Sequence, residues 1–176
     1  MPAAFLVPTS LELLDDITCN GTTVVDWPNL PQGYKHLFVV WNCNTQSGAG
    51  ADVLMLAFNA DRTASYGYAG YFGGSVAVGP FSAAAQGQGR FGVAPGVPGG
   101  ATFVWASGQL WLPDYSSALH RQSWLSTSWR NDGGGFGMEM VGGDKLTIAA
   151  VSRLQLFAGS GAQLTNGSRF TLYGVR

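Results

Sequence analysis

The chain has 176 residues, 46% of them hydrophobic and 11% charged, with a formal net charge of −1. That size and apolar content suit one folded domain with a real core and exclude a disordered tail. The near-zero charge and the lack of any basic cluster exclude long-range gathering of nucleic acid.

The charged fraction is well below the roughly 25% of an ordinary soluble domain, which predicts that much of the surface is covered by other chains. Residues 1–21 read as an N-terminal arm. Pro2 and Pro8 oppose helix, Phe5 and Leu6 are its candidate contact residues, and Leu11, Leu13 and Leu14 suit a strand or one helical turn. The opening MPAAFLVPTS has no basic n-region and no long apolar h-region, so no signal peptide is expected. No apolar run approaches the roughly 18 residues that a membrane span needs.

Residues 22–176 are expected to form the domain. Residues 22–27 read as a strand ended by Pro28 and Pro31. Residues 34–41 (YKHLFVVW) are apolar on both faces beyond Lys35 and His36, which predicts a central or interface strand. In residues 53–59, Leu54, Leu56 and Phe58 share a face. Residues 79–101 contain little but Gly, Ala, Pro, Ser, Gln and Val, and read as a long loop in which Ser82 can cap one helical turn. Such an ordered loop usually contacts something, which makes Phe81 and Phe91 candidate interface residues. Residues 102–112 and 118–129 are expected to be long strands separated by Pro113-Asp114-Tyr115-Ser116-Ser117, and residues 136–141 a short one. Two alternating runs, 146–156 and 169–174, close the chain, with Phe170, Leu172 and Gly174 on one face of the second. About eight or nine strands without a helical period predict an all-β fold, an antiparallel β-sandwich of jelly-roll-like form.

No motif for chemistry stands out. Gly87-Gln88-Gly89-Arg90-Phe91-Gly92 has the letters of a dinucleotide fingerprint, but Pro95 and Pro98 follow where a helix must start. His36 and His120 lack partners at metal-ligand spacing, and no G-x-S-x-G is present. His36 reads as a hydrogen-bonded structural residue and His120 as an exposed strand position. Most Asp residues lie beside Gly, Asn or Pro, as turn residues do, so no carboxylate pair for glycoside chemistry is legible. Asn20-Gly21-Thr22 and Asn166-Gly167-Ser168 match glycosylation sequons, yet Asn-Gly is a hairpin signal and the turn reading is preferred. Cys19 and Cys43 are expected to be unpaired buried thiols rather than a disulfide. Trp124 and Trp129 differ by an odd step and so face opposite sides of one strand, one toward the core and one toward an interface or a sugar. No cofactor is expected.

Several words of the sequence, namely YKHLFVV, LAFNADRTASY, LWLPDYSS and the final VSRLQLFAGSGAQLTNGSRFTLYGVR, resemble a group of tailed-bacteriophage virion proteins. The group spans tail-fibre, head-fibre and minor structural proteins, and its last hairpin ends Gly-Ser-x-Phe-x-Leu-Tyr-Gly. The resemblance runs from about Trp27 to Arg176. It implies an antiparallel β-sandwich working in a virion as a homotrimer, and brings no catalytic residues. Family members often carry a stalk that this sequence lacks, which favours a compact subunit on the capsid surface, made in the cytoplasm of the bacterial host. The expected function is therefore a non-enzymatic capsid decoration (cement) protein that binds the major capsid protein and copies of itself. The alternative is a fibre head that binds a receptor or host surface glycan.

Overall fold

A computed structural model of the chain describes residues 11–74, 78–96, 105–131 and 136–176. Its strands are β1 (Leu11–Thr18), β2 (Val24–Trp27), β3 (His36–Cys43), β4 (Ala51–Phe58), β5 (Tyr66–Gly74) and β6 (Val78–Gln86). They continue with β7 (Gly89–Pro95), β8 (Ala106–Leu112), β9 (Arg121–Asn131), β10 (Phe136–Ile148), β11 (Leu154–Ala158) and β12 (Arg169–Val175). An eight-stranded sheet in the order β1-β12-β3-β8-β9-β10-β5-β6 packs against a four-stranded sheet in the order β2-β11-β4-β7. All named pairings are antiparallel, and the chain crosses repeatedly from one sheet to the other. The fold is an all-β antiparallel sandwich, with more strands than the sequence pattern predicts.

Alternation builds the large sheet. Along β9, Gln122, Trp124, Ser126 and Ser128 are buried while Leu125 and Trp129 are exposed, as a strand with one dry face requires. Between the sheets, Trp41 meets Phe91 edge-on at 5.8 Å and Phe58 meets Trp124 edge-on at 5.9 Å, a favoured arrangement of ring quadrupoles. The small sheet is dry on its inner side and partly covered on its outer one. Leu54, Leu56 and Phe58 enter the main core, and on the other face Met55, Ala57 and Phe157 form a second cluster roofed by the Arg62 guanidinium, 4.1 Å from the Phe157 centroid.

The long loop expected over residues 79–101 is instead mostly β6 and β7. The register passes from Leu54↔Gly92 to Met55↔Arg90, so Phe91 is the extra residue of a bulge on β7. Its ring is fully buried and its carbonyl accepts a hydrogen bond from Ser126 Oγ. Gly-rich β7 is tolerated because its glycines are slots. A Cβ on Gly89 would strike the Trp124 indole at 2.6 Å, and one on Gly92 would meet Trp41 at 3.0 Å. The letters G-x-G-x-x-G therefore serve packing.

Two further boundaries differ from expectation. Residues 11–18, assigned above to an arm, form β1 and pair with β12. Trp27 Nε1 donates to Asp15 Oδ2 at 2.9 Å, and Cys19 N–H donates to the Ser168 carbonyl at 2.7 Å, tying this strand to the domain. The run 146–156 is not one strand: β10 ends at Ile148 and β11, in the other sheet, begins at Leu154. Asn59, in a left-handed conformation at φ 55°, holds the crossing between them. Its Oδ1 accepts from Ser152 N and Arg153 N at 2.8 and 3.1 Å, and its Nδ2 donates to the Ala150 carbonyl at 2.8 Å.

Candidate functional site

The words that carried the family resemblance are occupied with structure. In LAFNADRTASY, Asn59 clamps the crossing and Asp61 pairs with Lys145 Nζ at 2.7 Å. The Tyr66 hydroxyl donates to the Asp61 carbonyl at 2.9 Å. In LWLPDYSS, Asp114 N–H donates to His36 Nδ1 at 3.0 Å, and buried Tyr115 donates to the Pro31 carbonyl. His36 is thus a structural acceptor, as expected, and its ring lies 5.0 Å from Trp111. At the C-terminus Phe170 and Leu172 are buried, and Gly174 leaves room for the Tyr34 ring, which a Cβ there would overlap. Both Asn-Gly pairs are turns, with φ of 71° at Gly21 and 84° at Gly167.

Buried Glu139 and Lys145 are each in an ion pair, while buried Asp52 accepts hydrogen bonds from Ser160. Glu139, 1% exposed, meets Arg90, whose guanidinium also lies 4.2 Å from the Phe81 ring. Lys145 donates to Asp61 and, with the Thr63 hydrogen bonds, holds that carboxyl down to about 2. Cys19 and Cys43 are free and buried, and burial pushes the Cys19 thiol up to about 11. Among the described residues, no group of three or more His, Cys, Asp or Glu is placed to hold a metal ion.

The candidate interface residues separate. Phe5 and Leu6 lie outside the described residues. Phe91 and Trp124 are core residues, 0% and 3% exposed, and neither can reach a partner. Trp124 is held in a slot between Gly89 and Gly143, with Nε1 donating to the Arg90 carbonyl at 2.9 Å. Phe81 is half-buried between Gly70 and Arg90, so its ring is used within the chain. Trp129 alone of the described candidates presents a large exposed surface, at 45%.

Trp129 belongs to a face that the sequence did not delimit, the outer face of the eight-stranded sheet. From β3 to β6 one outward row reads Phe38, Trp111, Leu125, Gly142, Ala69, Ser82. The next reads Val40, Gln109, Thr127, Met140, Tyr71, Pro80, and the third Asn42, Ser107, Trp129, Met138, Gly73, Val78. None of these positions carries a charged side chain. Leu125, Tyr71, Met138, Met140 and Val78 are each more than half exposed. Charge returns at two margins of this face: on β9 and β10 beyond Leu125 and Gly142, where Arg121 meets Asp144 at 3.5 Å, and at the β1–β12 edge, where Arg169 and Asp16 form a bidentate pair that holds the Asp16 carboxyl below its usual range. Between that edge and Trp129 the face sinks into a depression of about 410 Å³. A scan against family models gives no match, and neither do searches of curated proteins and of solved structures.

Proposed function

We propose that this protein is a non-enzymatic structural subunit of a tailed-phage virion, a decoration protein that docks on the head shell and stabilises it. The observation that carries the reading is the uncharged apolar field over β9, β10, β5 and β6. Contiguous exposed apolar surface of this kind marks an interaction site, and covering each half-exposed Leu or Met side chain contributes about 1 kcal/mol. Methionines such as Met138 and Met140 adapt to an irregular partner surface. The sequence resemblance supplies the setting: a shell of major capsid protein, with copies of this chain bound as trimers.

The mechanism is mass action. A protein that binds only the assembled shell stabilises it by RT ln(1 + [L]/Kd), about 2.7 kcal/mol when free protein is at a hundred times Kd. Several contacts per trimer reinforce one another through effective concentration. The test is the thermal transition of shells prepared without this protein, measured with and without saturating amounts of it. The expected result is a transition that moves up with protein concentration and then saturates. An unmoved transition at saturation contradicts the reading.

A further inference from the structure

The depression beside Trp129 differs from the apolar field next to it. It crosses β1, β12, β3, β8 and β9, with Leu13 and Asp16 at one end and Trp129 at the other. Its volume, about 410 Å³, lies in the range of small-ligand sites. The floor is made of short side chains, and polar groups converge on it. Asn42 Nδ2 donates to Ser107 Oγ at 2.6 Å, which leaves the Asn42 carbonyl oxygen to accept and the Ser107 hydroxyl hydrogen to donate. Gln109, on the neighbouring strand, is exposed with its amide offering both a donor and an acceptor.

Charge in the depression is cancelled internally. Asp16 takes both Arg169 Nε and Nη2, and Thr171 Oγ1 donates to it at 3.0 Å. The carboxylate is thereby saturated and the guanidinium neutralised, so neither sign of ligand charge is favoured. An exposed indole, paired amide and hydroxyl groups, and net neutrality together define the ligand. One face of the ligand must be apolar enough to lie on a π surface, and its edges must carry groups that both donate and accept.

We infer that this depression is a binding site for a neutral pyranose sugar, with Trp129 stacking on the sugar's C–H face and Asn42, Ser107 and Gln109 bonding its hydroxyls. The inference goes beyond the shell-docking reading: it concerns the free protein and shares with the docking field only its margin at Trp129, the other contacts coming from β3 and β8.

The experiment uses the isolated full-length chain on a printed array of neutral hexose and N-acetylhexosamine oligosaccharides, with uronic-acid and sialic-acid glycans beside them. The wild type is expected to bind a subset of the neutral glycans. Trp129→Ala and Gln109→Ala should each weaken that binding at least tenfold, with circular dichroism showing the fold retained. Val78→Ala, on the far edge strand β6, should leave it unchanged. Asp16→Asn frees Arg169 and should shift selection toward the acidic glycans. No binding to any neutral glycan at millimolar concentration overturns the inference, as does binding that Trp129→Ala and Gln109→Ala leave intact. Shells that still bind Trp129→Ala while its glycan binding is lost would show the two sites to be separate.

Discussion

At the scale of single residues, Lys145 and Glu139 are charges taken into the sandwich, and each depends on one partner. Lys145 is 4% exposed and meets Asp61 at 2.7 Å. Removing the partner leaves a buried ammonium unpaired, a loss of about 3 kcal/mol. Asp61→Asn is therefore expected to lower unfolding stability by about that amount at pH 7. The pH dependence follows from the carboxyl, which folding brings down to about 2 from 3.8. A depressed carboxyl contributes stability that is full above its unfolded value and is lost as pH falls through its folded value. The gap between wild type and Asp61→Asn should thus hold down to about pH 4 and close toward pH 2. Urea unfolding of both proteins at pH 7, 4 and 2.5 measures it, and a gap that persists unchanged at pH 2.5 contradicts the account.

At the scale of elements, what the sequence made legible depended on whether packing followed a simple period. In β9 and β12 it does: Trp124 faces the core and Trp129 the solvent, and Phe170 and Leu172 face inward. In β6 burial alternates along most of the strand but small residues on both faces hide it, and in β7 the Phe91 bulge breaks the period. Their composition disfavours strands, and they are held by the Phe91 bulge, the Arg90–Glu139 pair and glycine slots, none of which leaves a periodic trace. The run over residues 146–156 misleads for the opposite reason, because alternation continues through a crossing that Asn59 fixes from far away in sequence. The slots give a sharp test. A Cβ on Gly143 would overlap the Trp124 indole and approach the Gly67 carbonyl to 2.7 Å, whereas nothing lies within 4 Å of one on Gly73. Gly143→Ala should therefore cost roughly 1–3 kcal/mol, while Gly73→Ala should stay within about 0.5 kcal/mol of wild type. Chemical denaturation of the two variants decides it, and equal stabilities would rule out the slot.

At the scale of the whole molecule, low charge and a broad uncharged face express the same property. Composition alone indicated a weakly charged surface, but not where its apolar part lies. Asn42 comes from β3, far in sequence from the β8 and β9 strands that carry Gln109 and Trp129. No local pattern in the sequence could join them, and Phe91 and Trp124 look as available in the chain as Trp129 does. On the proposed reading, the subunit would dock through β9, β10, β5 and β6 and keep the polar trough near its β1 edge open.

The most direct measurement is co-sedimentation of the recombinant protein with purified head shells that lack it, beside intact host cells. Wild type should pellet saturably with shells, and Leu125→Lys combined with Met140→Lys should reduce that binding at least tenfold while the protein remains folded. Failure of the wild type to pellet with shells, or pelleting that the two lysines leave unchanged, would contradict docking through the outer face of the large sheet.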